Sequence, residues 1–428
     1  MLLVLYFIVL MLAAGFLALQ AARQRERGKK TARIYAVCFG LLLGYLSAEL
    51  VVTAYYRLSW RGTTLFLFDE SGRTVHFDPV RGYLLTTQAS RFSRITNGMI
   101  EYVGSLQGNS QGFPSRYDFT SKRPDADTRR IAVFGDSFSA GQYLNINWPD
   151  RAQALAQAHG DKLQFLNFAV DGAGLANWWS VLTRLVAPEH YDLDGIVFVV
   201  FEANLERKFV VSEHRGYKRH MFGRCDSWDP KSYPRTLEEA KSCLQEVRGA
   251  YILSDGEFAG ALRRQWPPSV PRPQLQLVIA KQLLRAIDEW RHPTRDAERQ
   301  FSGFNPQQKQ LVEDIHQFVS RRDLPVLVVF LPSRDRLVKS AWENDAWRKE
   351  TKAFAEATGA TFLDGSDAFA HMQPEEIRKC FLPYDYHWNQ SGSDRFAQYM
   401  LDQIHMAFHN RPQTASNSSS DQMTWSHR

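Results

Sequence analysis

Two long apolar runs open the chain, and shorter apolar runs separated by helical stretches fill most of the remainder. Residues 1–22 (MLLVLYFIVLMLAAGFLALQAA) carry no charge and are long enough to cross a hydrocarbon core of about 30 Å as a helix. A second run, residues 34–56, has the same reach. The loop between them, residues 23–33, carries Arg23, Arg25, Arg27, Lys29, Lys30 and Arg33 against Glu26 alone, and the positive-inside rule places such a loop in the cytoplasm. The pattern predicts a transmembrane helical hairpin in the cell (inner) membrane, with the folded part of the chain periplasmic or extracellular. The other reading of the first run is a cleavable signal peptide, whose positive charges precede the apolar stretch, whereas here they follow it. Glu49 inside the second run is tolerable near the outer end of a helix or against the first helix.

Residues 57–129 alternate short apolar runs with Gly, Asn and Ser, as in LFLFDESGRTVHFDP, and read as an entry segment of short strands and turns without evident chemistry. From Arg130 the texture changes. Buried runs at 131–134, 163–170, 195–201, 325–331 and 361–364 alternate with helical candidates near 150–159, 176–187, 306–321, 341–358 and 391–409. That alternation predicts an α/β domain over residues 130–409, a flavodoxin-like parallel sheet in a three-layer αβα arrangement. Between about 205 and 304 a polar stretch rich in Arg, Pro and Trp breaks the pattern as an insertion whose role is not readable. Residues 410–428 are polar and predicted to be disordered.

Composition adds exclusions. The formal charge of +6 over 428 residues comes mostly from the basic loop, and the rest of the chain is close to neutral, so no basic field exists to steer nucleic acid. Hydrophobic residues make up 44%, enough for a sizeable core. No Cys/His spacing resembles a zinc site, and no cofactor motif is present. Cys225 and Cys243 form the expected disulfide pair, stapling the insertion in an oxidising compartment.

Ligands of open parallel sheets bind where loops leave the carboxyl ends of the strands. Four such loops hold a coherent set: Gly135-Asp136-Ser137, Asp171-Gly172-Ala173-Gly174, Glu202-Ala203-Asn204, and Asp385-Tyr386-His387-Trp388. On these residues the chain resembles the SGNH (GDSL-like) hydrolase superfamily. RIAVFGDSFSAGQ is similar to its first block, NFAVDGAG to its second, FEAN to its third and YDYHWNQSG to its histidine block, in the right order over about residues 130–409. NSQGF upstream resembles the lead-in of envelope-associated members. The D-x-H-W form of the last block further resembles the subgroup containing alginate O-acetylation proteins.

The chemistry is consistent with that resemblance. A serine hydroxyl becomes a competent nucleophile when a base accepts its proton, which assigns Ser137 as nucleophile and His387 as base. Asp385, two residues away on a loop expected to be extended, holds the imidazole's tautomer; Asp364 and Asp367 compete for that role. For the oxyanion hole the resemblance implies the backbone N–H groups of Ser137 and Gly172 and the side-chain amide of Asn204. Glu202 and Leu205 depart from the family's G-x-N-D, which weakens the Asn204 assignment; Glu202 either narrows the cleft or faces solvent. Asp136 reads as a loop-stabilising partner, Trp178 and Trp179 as helix packing, and Asn389 and Ser391 as helix caps.

The expected function is an extracytoplasmic serine esterase or O-acyltransferase, with acetyl transfer or removal on an exported or cell-envelope polysaccharide implied by the resemblance. Its partners would be an acyl ester donor, a glycan acceptor and the membrane. A transferase of this kind needs its acyl group from another membrane protein or an external ester, because two helices form no transport path. The alternative from a different class is a noncatalytic glycan-binding or scaffold component of an envelope polysaccharide assembly.

Overall fold

Successive residues along the apolar runs face opposite sides of one sheet, and each side carries its own core. In the computed structural model, which describes residues 2–28, 30–70, 75–214, 219–272, 278–291, 301–340 and 345–408, five strands form this sheet: β1 (Arg129–Phe134), β2 (Leu163–Asn167), β3 (Gly195–Phe201), β4 (Val326–Leu331) and β5 (Thr361–Asp364). All pair in parallel, in the spatial order β5-β4-β3-β1-β2. This is the 2-1-3-4-5 order of flavodoxin-like sheets, which reverses direction between β1 and β3. Ala132, Phe134, Ile196 and Phe198 point into one core with the helices Leu175–Val181, Pro306–Arg321 and Ala346–Thr358. Ile131, Val133, Val197 and Val199 point into the other, with the helices Trp148–Ala158 and Gln390–Phe408. Period-two alternation within fully apolar strands therefore buries both faces, the expected three-layer arrangement.

Local signals set the helix ends. Asn305 and Gln308 form a reciprocal capping box in front of Pro306, which starts a helix without losing a bonded N–H. Asn389 accepts from the Ser391 N–H at 3.0 Å and caps the last helix. The strand expected over 163–170 ends at Asn167, because the Asn167 side chain turns to donate to Pro114 O and Ser139 O and accepts from the Ala169 N–H.

The chain divides into two compact units, residues 66–94, 101–258 and 300–428 forming the larger one. The entry segment is thus largely part of the αβα unit. Its hairpin, Ser90–Thr96 and Met99–Leu106, turns at Asn97 and Gly98, both at positive φ, as a two-residue Asn-Gly turn requires. The strand Thr64–Asp69 pairs in parallel with Ala250–Leu253 from the insertion. A further insertion hairpin, Val210–Glu213 with Met221–Arg224, is tied by the Cys225–Cys243 disulfide.

The smaller unit holds two helices joined by a short turn, α1 (Leu2–Glu26) and α2 (Thr31–Leu58). Both extend into the expected loop, so the basic residues sit largely on helix ends. Among the described residues, α2 is the helix long and apolar enough to cross a membrane. Glu49 on α2 accepts the first backbone N–H groups of the helix Val278–Arg291, from Ile279 and Ala280, both at 3.0 Å. A carboxylate there complements the positive end of that helix. The predicted disordered tail lies outside the described residues.

Candidate active site

Strand β1 ends at Phe134 and the chain turns at once into a single helical turn, Ser137–Ala140. Asp136 caps that turn by accepting the Phe138 N–H at 3.1 Å. Trp178 supports it from below by donating Nε1–H to Gly135 O at 3.1 Å. Ser137 is thereby held at the carboxyl end of the sheet, beside the point where the strand order reverses.

His387 Nε2 lies 2.7 Å from Ser137 Oγ, and His387 Nδ1 makes a very short contact with Asp385 Oδ1. The structure brings the three side chains into one hydrogen-bonded chain from segments 250 residues apart. The loop carrying Asp385 and His387 is a run of bends and not the extended segment expected. Asp385 Oδ1 accepts the backbone N–H of His387 at 2.8 Å as well as its ring, so an Asx-type turn and not strand alternation puts both groups on one side. Phe138 stacks on the imidazole at 4.8 Å between centroids, and Tyr143 meets it edge-on at 5.2 Å. Trp388, 1% exposed, wedges against Phe138 and Phe396. The competing carboxylate Asp364 instead pairs with Arg348 at 2.7 Å and accepts from Ser366.

Behind Asp385 stands a charge relay that sequence reasoning missed. Arg94 Nη1 lies 2.6 Å from Asp385 Oδ2, and Arg94 Nε lies 2.8 Å from Glu101 Oε2. Glu101 Oε1 accepts the Tyr384 N–H at 2.8 Å, so it holds both the arginine and the loop bearing the triad. Burial alone would raise the pKa of Asp385, but the His387 hydrogen bond and charge and the Arg94 guanidinium outweigh it and hold it at about 2. The signal for this relay was present in RITNGMIE, where opposite charges stand symmetrically about an Asn-Gly turn.

Of the three expected oxyanion donors, two are open. The backbone N–H groups of Ser137 and Gly172 have no hydrogen-bond partner among the described residues. Gly172 adopts φ +75°, and a Cβ there would stand 2.6 Å from Phe222 Cζ, which accounts for glycine on both counts. The Asn204 amide is not brought to the hole. It is fully buried and donates to Asp136 Oδ2 at 2.9 Å and to Ala173 O at 3.1 Å. Its hydrogens are thus spent on the Asp136 carboxylate, which Arg207 also engages at 2.9 Å, and on the Ala173 carbonyl. Glu202, where the family block has glycine, adopts φ +37° and faces Arg336 at 3.9 Å.

Asp171 lines the cleft beside these groups. Burial raises its pKa to about 6, with His387 opposing and Asp136 adding to the rise. Trp179 donates to Asp314 in helix packing. Among the described residues no cluster of His, Cys, Asp and Glu has the makings of a metal site.

No family model matches the sequence, and no curated protein matches it. Among solved structures, the chain is similar to TesA at 12% identity, covering 65% of this chain and 99% of that one with a TM-score of 0.33. It is similar to a lipase/acylhydrolase from Enterococcus faecalis at 11% identity, with 67% and 100% covered and a TM-score of 0.33. AlinE4, an SGNH-hydrolase family esterase, is similar at 13% identity, with 65% and 94% covered and a TM-score of 0.28. Likeness this distant carries no weight beside the strand order and the hydrogen bonds described above.

Proposed function

We propose that this chain is a membrane-anchored serine ester hydrolase or O-acyltransferase that works through an acyl-Ser137 intermediate. The observation that carries the reading is the continuous Ser137–His387–Asp385 chain at the carboxyl end of a parallel sheet. Ser137 Oγ attacks the ester carbonyl while His387 Nε2 takes its proton. The tetrahedral oxyanion meets the N–H groups of Ser137 and Gly172. Collapse breaks the ester C–O bond, and the departing alcohol leaves with the proton held on Nε2. Water or an acceptor hydroxyl then attacks the acyl-serine, gives its proton to Nε2, and Oγ recovers it as the acyl group departs.

A glycan hydroxyl is the acceptor we favour for the second step. A polar groove of about 640 Å³, lined by Gln107, Ser110, Arg116 and Asn145 among others, shares Leu85, Leu106, Pro114 and Ala140 with the cleft at His387. Such a lining suits a hydroxyl-rich chain better than an apolar one. The apolar, outward-facing positions Ile34, Val37, Leu41, Leu50 and Val51 of α2 support a membrane anchor, and the basic turn between the helices supports a cytoplasmic loop with the catalytic unit on the opposite side.

The test is turnover of an aryl ester by the full-length protein in detergent, with Ser137→Ala alongside. Turnover that vanishes in Ser137→Ala, with an acyl adduct on Ser137 by intact mass, is the expected result. Turnover that survives the substitution removes the triad reading, and absence of both turnover and adduct leaves a glycan-binding scaffold. Adding an oligosaccharide then separates acyl transfer, which yields acylated glycan, from hydrolysis, which does not.

A further inference from the structure

Beside the triad lies a cavity of about 360 Å³. Its polar edge is formed by His387, Asp385, Arg94 and Asp171, and its walls are apolar, with Phe66, Phe68, Phe92, Phe113, Val170 and Phe222 prominent. An acetyl group, expected from the resemblance, has three non-hydrogen atoms and would leave most of this space unfilled. A water molecule's share of liquid volume is about 30 Å³, so the cavity takes roughly a dozen non-hydrogen atoms.

We infer that this cavity is the acyl-binding site and that the acyl group is an unbranched or weakly branched apolar chain of about eight to ten carbons. The inference rests on the acyl-Ser137 reading and deepens it. Three further observations support it. The walls come from elements with no part in the triad: Phe66 and Phe68 from the strand Thr64–Asp69, Phe222 from Met221–Arg224, Ala250 from Ala250–Leu253. The insertion whose role the sequence left unreadable therefore supplies part of the cavity wall. Phe222 also stands over Gly172, where a Cβ would meet its ring at 2.6 Å, so the apolar wall begins at the oxyanion loop itself. His220, the polar insertion residue in the lining, is pushed down to about 4 by burial and stacks on Phe68 at 5.4 Å; it is neutral at physiological pH and does not disturb the apolar character. The acyl side of the ester, and not the alcohol, belongs here because the acyl chain stays bound through both steps while alcohol and acceptor must come and go through the polar groove.

Burying one methylene is worth about fourfold in a rate ratio, and even about twofold per step gives about sixtyfold between acetyl and octanoyl. The experiment measures kcat/KM of the full-length protein in detergent for p-nitrophenyl acetate, butyrate, octanoate and palmitate, and for ethyl and octyl acetate. The expected result is a rise of at least about thirtyfold from acetate to octanoate, a fall at palmitate, and no gain from ethyl to octyl acetate. Acetate turned over as fast as octanoate overturns the inference, and so does a gain carried by the alcohol chain. Val247→Phe and Ala250→Leu, both in the cavity wall, should each lower the octanoate-to-acetate ratio about tenfold. The ratio is independent of how much protein folds, and an unchanged ratio in either active variant counts against the assignment. Ser137→Ala separates the two readings: octanoate turnover surviving it sinks the triad, whereas Ser137-dependent turnover with acetate preferred sinks the acyl cavity alone.

Discussion

Arg94→Met keeps most of the side chain's length and removes its charge, leaving two carboxylates without their shared partner. The side chains of Arg94, Asp385 and Glu101 are 8%, 12% and 0% exposed, so solvent screens these pairs little. Removing one partner of such a buried pair typically costs about 3–5 kcal/mol, because the remaining charge stays buried. Here both Glu101 and Asp385 are stranded, and the upper part of that range is expected. Asp385 also loses the contact that fixes its second oxygen, and displacement of a catalytic group by about 1 Å costs about a hundredfold in rate. A drop in kcat of tenfold to a hundredfold should therefore accompany the loss of stability.

The pH dependence distinguishes this charge argument from a simple packing defect. The folded pKa of Asp385, at about 2, lies below its ordinary value of 3.8. A group depressed in this way contributes stability that is fully present above its unfolded pKa and lost as the pH falls through its folded pKa. Without Arg94 the part of that contribution that its charge supplies disappears, so wild type and variant should differ most near neutral pH and converge only as the pH falls from about 4 toward about 2. Denaturant unfolding of the full-length protein in detergent at pH 7.5 and at about pH 2.5, inside the window between the folded and unfolded pKa values, reads the difference directly. Adding Glu101→Gln to Arg94→Met removes one stranded charge and should recover at least a third of the loss at pH 7.5. A variant within about 0.5 kcal/mol of wild type, or a deficit equal at both pH values, would refute the relay.

Asp171→Asn tests a carboxyl with the opposite shift. Its folded pKa of about 6 lies above the unfolded value, so ionisation costs stability as the pH rises from about 4 to 6; the variant should gain over wild type at pH 7.5 and not at pH 4, and an equal melting difference at both would count against it. Gly172→Ala should lower kcat about a hundredfold with a smaller change in KM, since losing one oxyanion donor costs about 10²–10³ in rate; unchanged kcat in a folded variant would remove the Gly172 N–H from the oxyanion hole. Replacing Cys225 and Cys243 together by Ser opens a link between residues 18 apart and should lower stability by about 3 kcal/mol, read as a lower unfolding midpoint; an unchanged midpoint would mean the insertion needs no staple.

The sheet was legible because its strands read as short, continuous apolar runs rich in Val, Ile and Phe and bounded by turn residues, and run length and flanks mark such strands where periodicity does not. Ser137, Asp385 and His387 were legible because each sits in a short loop whose neighbours are themselves constrained: Asp136 must cap, Gly172 must adopt positive φ, Asn389 must start a helix. Arg94 and Glu101 were not, since a charged pair on a hairpin reads as a solvated face unless the packing partner is known. That partner, the loop at 383–387, lies almost three hundred residues away in sequence. Asn204 misled for a related reason. Its position after β3 was read correctly, but nothing local reveals that Asp136 and Ala173 claim both of its amide hydrogens.

The same residues indicate how precision is reached in a loop with little regular structure. The segment carrying Asp385 and His387 is closed by one antiparallel bridge, Phe381 to Trp388, which by itself leaves the bends between them free to shift. Three outside contacts remove that freedom. Trp388 is locked into the core beneath Phe138, Tyr384 N–H is held by Glu101, and Asp385 Oδ2 is held by Arg94. Two of the three come from the Asn97–Gly98 hairpin, outside the parallel sheet that presents the nucleophile. Ser137 is therefore positioned by a strand end, while His387 is positioned by an appended segment. Variation in the hairpin should then alter rate through the orientation of His387 without touching Ser137, and substitutions at Arg94 or Glu101 should lower kcat and the rate at which a small fluorophosphonate labels Ser137 together, because both steps need His387 to take the serine proton.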